Sequence, residues 1–526
     1  MKVAQVQNHE LMIEILMLEL STQFYLGKVA DEGYFDRDQW LKTNQIFTDL
    51  MQLLEGNYDK LKKLAEVEQI EEKFQFSKIS QILPAVVTFI EKLDVQLFKA
   101  LQVLSQTSLE YVHRLRDECL LISQCKNIMR FLAHAQDFEN QARVGMVMLE
   151  HVYYKSDSLY EKTRAALKGK PDQLSLIHMP EKSSVEEVSG LVDLILKHSS
   201  GKFKVKALCL QLYNLAIHNK FQEARHLMMS TRLSTSIHKQ KIQIQINYNR
   251  ALVQIGLAAF RLGLFEECNQ LLLNICQSPN LKESLAQGVS NYLRQQEKTL
   301  EEEVEEKKRF LPPHLHIGTE SLDSVYLATS MFQEIPNLSE NRFHLQKKVL
   351  NRNYRKLIEQ YDLKGIQFLP QSSRDYIVFA SRNLHQSKWK EAFDNLSNIK
   401  VFQKMPEFKE GGLKDSLLLR CKQVSLNLFV SQNQSQNKAF NIGQLQEQFQ
   451  LSKAQVLKVV SSLISKGLLN AKVDAKNGNI VFNSATQSSG DSRKEIEFLQ
   501  KQHLEKIEQL VEGNERCMEL YQSSNL

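Results

Sequence analysis

The sequence predicts a mainly α protein. Paired helices follow one another, a compact helix-and-hairpin module closes the series, and one long helix comes last. Three observations carry this reading. With only 9 prolines and 19 glycines in 526 residues there is little material for turns, whereas Leu, Gln, Glu and Lys, all good helix formers, recur throughout. A pattern of one aromatic and one small residue returns three times along the chain. After Lys438 the helical periodicity gives way to short apolar stretches around an Asn-Gly pair.

Residues 1–168 form the first helical region: stretches such as "LLISQCKNIMRFLAHAQDF" keep apolar residues three and four apart, the spacing of a helix with one buried face. "KGKPDQLSLIHMPEKSSVEEVSG" then gathers Pro, Ser, Gly and charge, and residues 169–190 read as a linker.

A helical-repeat region is expected over 191–310. In "NKFQEARHLM", "GLFEECNQLL" and "SKWKEAFDNL" an aromatic (Phe221, Phe265, Trp389) is followed at i+2 by Glu223, Glu267 or Glu391. At i+3 comes Ala224, Cys268 or Ala392, and at i+7 Met228, Leu272 or Leu396. The small residue lets an antiparallel helix approach closely while the aromatic plugs the turn, the chemistry of tetratricopeptide-like pairs. The copies start 44 and then 124 residues apart, so the solenoid they predict is degenerate.

Residues 311–437 continue in helices, and 438–483 form a separate module. Within it Ile442, Leu445 and Phe449 face inward on a short helix, Ser452 caps a second helix bearing Val456, Val459, Val460, Leu463 and Ile464, and Gly467 ends that helix. "LLNAKV" and "NIVF" follow as strands, with Asn477-Gly478 as the hairpin turn. Helix, turn, helix, hairpin is a winged helix. Its hairpin is expected to leave Asn479, Ile480, Val481 and Phe482 as an open edge on which a partner pairs.

Residues 491–526 complete the chain. Ser492 and Glu495 form a capping box, and Ile496, Leu499, Leu504, Ile507, Leu510, Val511, Cys517 and Met518 keep to one side of a helix. Of these, Ile496, Leu499, Ile507, Leu510, Val511 and Met518 are expected to bind partner helices, because the small module cannot cover so long a stripe.

Composition narrows the function. A length of 526 residues with 42% apolar content supports several cores, and the net charge of +6 permits an acidic partner without demanding one. The seven cysteines form no C-x-x-C pair, which argues against a disulfide framework or a zinc ribbon and for small buried hydrophobes in a reducing compartment. In "MKVAQVQNHELMIEILMLEL" Glu14 and Glu19 interrupt the apolar stretch, so neither a signal peptide nor a membrane span is expected.

The winged helix invites a nucleic-acid reading, yet its second helix offers Lys453, Lys458 and Lys466 and no arginine or asparagine suited to bidentate base contact. Residues 438–483 carry six lysines against Glu447 and Asp474, a net +4 that fits proximity to RNA phosphates rather than sequence readout. A protein-interaction module is the expectation, with a winged-helix nucleic-acid regulator as the alternative.

No catalytic residue emerges. "HELMI" begins like a zinc protease motif but has Ile13 where the second histidine belongs, and there is no phosphate loop, nucleophile elbow or dinucleotide fingerprint. In "FLPPHLHIGTESLDSVYLATSMFQEIP" His314 and His316 could share a metal on an extended stretch, but no further ligand lies nearby in sequence. They read instead as packing at a junction. The charged helix "EKTLEEEVEEKKRF" is stopped by Pro312-Pro313, and a new helix starts near Thr319 with Leu322, Val325, Tyr326, Thr329, Phe332 and Ile335 on one face until Pro336 ends it. Neither a metal nor a cofactor is expected.

Degenerate helix pairs, the "PPHLHIGTESLDSVYLATSMFQEIP" junction, "YNRALVQIGLAAFRLGL", a terminal winged helix and "LVEGNERCMEL" together resemble the PCI family of scaffold subunits. Within it they are most similar to the c-subunit family of eukaryotic translation initiation factor 3, over essentially the whole chain. The likeness implies that 311–437 and 438–483 are the helical part and the winged helix of one PCI domain. It implies a cytoplasmic, non-catalytic member of a hetero-oligomer, away from membranes. The implied partners are other initiation factor 3 subunits, especially a and e, and the proteins and rRNA of the small ribosomal subunit. Scaffolds of the proteasome lid or the COP9 signalosome share the PCI module and are the closer alternative. Members of the c-subunit family carry a charged N-terminal extension, whereas this sequence opens directly on a helical pattern, so a start-codon-selection role assigned to the extension is not among the expectations for this chain.

Overall fold

The computed structural model describes residues 2–29, 34–68, 77–168, 183–278, 280–288, 299, 302, 306, 309–340, 350–364, 369–409, 412–433, 439–466, 469, 471–474 and 478–482, and then 500, 503, 504, 507, 508, 510–515 and 518. Two compact units are present: Met1–Ala258 with Ser278–Gly318, and Ala259–Gln277 with Thr319–Leu526.

The first unit opens with α1 (Lys2–Val29), α2 (Arg37–Glu68), α3 (Ser77–Val103) and α4 (Leu109–His134). Trp40, Phe47 and Leu50 on α2 are fully buried with Val87, Ile90 and Leu93 of α3, and each large apolar side chain so buried contributes roughly 1.5–3 kcal/mol. The one polar atom of Trp40 is satisfied inside, its Nε1–H donating to the Leu93 carbonyl at 3.1 Å. Next come α5 (Phe138–Val152), α6 (Asp157–Lys168), α7 (Ser184–His198), α8 (Gly201–Ile217), α9 (Phe221–Ser230) and α10 (Ile242–Arg261). The stretch expected to be linker up to 190 is helical from Ser184 onward. Ser183 caps α7 by accepting the Glu186 N–H at 3.3 Å, and Glu186 and Glu187 complement the helix dipole. Residues 169–182 of that linker lie outside the described residues.

The second unit holds α11 (Phe265–Cys276), α12 (Thr319–Glu340), α13 (Arg352–Lys364), α14 (Ser373–His385), α15 (Trp389–Ser397) and α16 (Gly412–Asn433). Its first segment, Ala259–Gln277, was expected to belong to the preceding repeat region. Tertiary packing draws it across: Phe265 meets Phe332 of α12 at 5.5 Å between ring centres, and Phe260 meets Phe402 at 5.1 Å. Pro336 does not end α12, which runs on to Glu340. A proline costs its helix one bond to the residue four back, and burial of Phe332 and Ile335 on either side of that gap keeps the chain helical.

The aromatic pattern marks helix starts. Phe221, Phe265 and Trp389 are the first residues of α9, α11 and α15, and Ala224, Cys268 and Ala392 behind them are fully buried. Each turn before them is the same. Asn219, Gly263 and Ser387 take positive φ values of 58, 77 and 60°, and the next N–H reaches back to Leu215, Ala259 or Asn383 at 3.0, 2.8 and 2.9 Å. This is a left-handed helix cap that satisfies carbonyls the helix would orphan. A fourth turn of this kind precedes Phe138, with Gln136 at φ 58° and Asp137 N–H bonded to the Leu132 carbonyl at 3.0 Å. It escaped the pattern because Asn140 and Gln141 stand where the other copies have Glu and a small residue.

The C-terminal module contains β1 (Ala439–Asn441), α17 (Ile442–Phe449), α18 (Lys453–Ser465), β2 (Ala471–Asp474) and β3 (Asn479–Phe482). The inward residues are those expected: Ile442, Leu445, Phe449, Val456, Val460 and Leu463 are buried, with Val459 and Ile464 packed at the margin. Ser452 and Gln455 form a reciprocal capping box at α18. Gly478 has φ 64° at the turn, while Asn477, Gly467 and, in the expected strand "LLNAKV", Leu468 and Asn470 lie outside the described residues.

Candidate interaction surfaces

The sheet of this module has the order β1-β3-β2, antiparallel throughout. Val481 pairs with Ala439 on one side and Lys472 on the other, and Ile480 sits between Phe440 and Val473. The expectation that Asn479, Ile480, Val481 and Phe482 form an open edge is therefore corrected: that strand is the middle one. The sequence missed β1 because three residues, Ala439–Asn441, show no readable alternation. Their place is set by the backbone of β3 and by the Phe440–Phe482 ring contact at 5.4 Å. Among the described residues ladder edges are left on Ala439–Asn441 and Ala471–Asp474, and an unpaired edge is a template for a further strand.

Of Lys453, Lys458 and Lys466, only the last two line one trough. Lys453 is the first residue of α18, whereas Lys458 and Lys466 line a trough with Arg420 of α16. Arg420 is already paired with Glu266 at 2.9 Å.

Near the C-terminus the described residues between 500 and 515, and Met518, are helical wherever they are placed. Leu504, Ile507, Leu510, Val511 and Met518 are exposed, Leu510 by 68%. Spacings of three, four and seven residues put Leu504, Ile507, Val511 and Met518 on one stripe, with Glu512 off it. Ile496, Leu499, Cys517 and the capping box at Ser492 and Glu495 lie outside the described residues, as does most of the charged helix before Pro312.

The two histidines of the junction serve different partners. The Tyr111 hydroxyl accepts the His314 backbone N–H at 3.1 Å and shares a second hydrogen bond of 2.8 Å with His314 Nδ1. Burial pushes His314 down to about 4 and keeps the ring neutral. His316 uses Nε2 to donate to the Leu311 carbonyl at 2.8 Å. Among the described residues no group of three or more His, Cys, Asp or Glu side chains could hold a metal ion. The junction is also pinned by Arg250, whose Nη2 donates to the Leu315 carbonyl at 2.7 Å.

Behind the junction lies an ion cluster that sequence reasoning did not find. Glu118 of α4 accepts from His151 Nδ1 at 2.8 Å, from Lys155 Nζ at 2.9 Å and from the Tyr154 hydroxyl at 2.8 Å, while His151 Nε2 faces Asp94 of α3 at 2.7 Å. Burial alone would lower His151, yet Asp94 and Glu118 push it up to about 10. Burial alone would raise Glu118, but Lys155 and His151 hold it well below the usual carboxylate range. Two cations and two anions thus close on one another across three helices, which leaves little charge for chemistry. The buried thiols are equally quiet, burial raising Cys209, Cys276 and Cys421 to about 12.

The family model described as "Eukaryotic translation initiation factor 3 subunit 8 N-terminus" matches residues 1–345, and the PCI domain model matches 415–484. The chain belongs to the c-subunit family of eukaryotic translation initiation factor 3. The c subunit of Phaeosphaeria nodorum is 31% identical over 96% of this chain, that of Aspergillus fumigatus 30% over 96%, and that of Yarrowia lipolytica 28% over 96%. The chain spans about 60% of the length of these relatives, covering 60%, 60% and 62% of them respectively. The PCI match takes in most of α16, both helices of the small module and its three strands, so the PCI domain of this initiation factor 3 family member holds the sheet whose edges are open among the described residues. Among the described residues no helix is long and apolar enough to cross a membrane.

Proposed function

We propose that this chain is a non-catalytic scaffold subunit of the cytoplasmic initiation factor 3 complex, which binds the small ribosomal subunit and promotes recruitment of initiator tRNA and messenger RNA. The observation that carries the scaffold reading is the exposed stripe Leu504, Ile507, Val511 and Met518 next to a PCI domain. A stripe of that kind in a soluble assembly is covered by other helices. C-terminal helices of the PCI-containing a and e subunits are the partners we assign to it, with pairing along Ala471–Asp474 or Ala439–Asn441 as the second contact. Lys453, Lys458 and Lys466 would lie near ribosomal RNA or proteins without reading sequence.

Affinity purification of the tagged chain from native cytosol tests the reading. Initiation factor 3 subunits and small-subunit ribosomal proteins should co-purify in stoichiometric amounts, and the ribosomal proteins should leave first as salt is raised. Recovery of proteasome-lid or signalosome subunits instead would overturn it.

A further inference from the structure

Helices α12, α16 and α18 of the second unit enclose a trough of about 570 Å³, and its rim carries Lys458 and Lys466, two of the three lysines placed above near ribosomal RNA or proteins. Each helix contributes a stripe at helical spacing: Phe332 and Pro336 from α12, Gln423, Val424 and Asn427 from α16, and Val459, Ser462 and Leu463 from α18. The floor is apolar and closely packed, with Val424 and Leu463 only 3% exposed. Pro336 forms part of the wall and has no N–H to give the Phe332 carbonyl, so the helix surrenders one of its own hydrogen bonds at the trough.

The rim is cationic and rich in carboxamides. Arg420 is neutralised by Glu266, but Lys458 and Lys466 are exposed and make no ion pair among the described residues. Gln423 and Asn427 line the trough with amide groups, the side chains best matched to a peptide backbone because each carries both a donor and an acceptor, and the Asn427 oxygen already accepts the Ser431 hydroxyl at 3.2 Å with one lone pair left over. Two lysines are few for tracking a phosphate backbone, and Phe332 is fully buried and offers no face for base stacking.

From this arrangement we infer that the trough is a docking site for an extended, acidic peptide segment of a partner protein. Lys458 and Lys466 are eight residues apart on α18, about 12 Å along a helix, which an extended chain covers in about four residues. Side chains alternate along an extended chain, so two carboxylates four residues apart reach the lysines while apolar side chains between them face the floor. The recognised segment therefore has the form acid-apolar-x-apolar-acid, its backbone held by Gln423 and Asn427.

Fluorescence anisotropy on the full chain tests this with a labelled peptide Gly-Asp-Leu-Ser-Leu-Glu-Gly, a charge-reversed version carrying Lys for both acids, and a labelled oligouridylate. The acidic peptide should bind the wild type. Lys458→Glu together with Lys466→Glu should weaken it at least about tenfold, and Gln423→Ala with Asn427→Ala by a few fold, whereas Lys453→Glu, outside the trough, should leave it unchanged. Circular dichroism checks that each variant is folded. The inference fails if the wild type does not bind the acidic peptide, if Lys453→Glu weakens it as much as the double variant, or if the oligouridylate alone depends on Lys458 and Lys466.

Discussion

His151 Nδ1 and Glu118 Oε1 stand 2.8 Å apart in the interior of the first unit, joined from residues 33 positions apart in sequence. With Asp94 at 2.7 Å on the other ring nitrogen, both nitrogens face carboxylates, and only the protonated ring satisfies both. The ring is the pin that ties α3, α4 and α5 together.

Its folded pKa of about 10 lies above the unfolded value of about 6.5, so the stabilisation from protonated His151 is fully present below pH ~6.5 and is lost as pH rises toward ~10. Asp94, Glu118, Lys155 and Tyr154 surround the ring. Thermal unfolding followed between pH 6.5 and pH 10 should show the melting temperature falling, with a shallower fall in His151→Gln. His151→Ala leaves two carboxylates facing a gap and should cost about 3–5 kcal/mol of stability at neutral pH. Equal pH slopes in wild type and His151→Gln would refute the role given to the ring.

The left-handed turn positions are not equivalent. Gly263 has φ 77°, and a Cβ there would lie 2.7 Å from Ser416 Oγ, so Gly263→Ala should lose at least about 1–2 kcal/mol from backbone strain, with the overlap in addition. Ser387 bears that strain already at φ 60°, and Ser387→Gly should gain up to about 1 kcal/mol. Urea unfolding of the two variants decides between this account and one in which the turns are indifferent to side chain.

Val481→Pro should damage the small module itself. Val481 is paired on both sides, so a proline there removes an N–H from the middle of the sheet and collides with the ladder. Limited proteolysis should open sites across residues 439–482 while the first unit remains resistant. If the variant keeps wild-type protection, β3 is not the middle strand in solution.

Ile507→Asp with Leu510→Asp should release the chain from its complex while its own fold is unchanged, because both side chains are more than half exposed and support no internal core. Each apolar side chain buried by a partner there is worth roughly 1.5–3 kcal/mol, and two aspartates oppose that burial with charge. Native mass spectrometry of the reconstituted assembly is the measurement. An intact complex holding the double variant at normal stoichiometry would sink the idea.

Local chemistry was legible wherever it is set by neighbours along the chain. Ser452 announces the start of α18, Ile442, Leu445 and Phe449 announce the buried face of α17, and the aromatic residues Phe221, Phe265 and Trp389 announce three helix starts. Period, capping and turn chemistry act over about two helical turns or fewer, so one sequence fixes them, and with them the mainly α class. Tertiary structure decided the rest. Whether Asn479–Phe482 is an edge or a middle strand depends on three residues of β1 that arrive from 40 positions earlier, as Phe440 meets Ile480. Whether Pro336 stops a helix depends on how well Phe332 and Ile335 are buried around the missing bond. Asp94, Glu118 and His151 are each an ordinary polar residue on an amphipathic helix, and they become an ion cluster only when three helices bring them within 3 Å. Such contacts are made between residues that no local rule relates, because their energy comes from burial, which the folded chain supplies and the sequence pattern only permits.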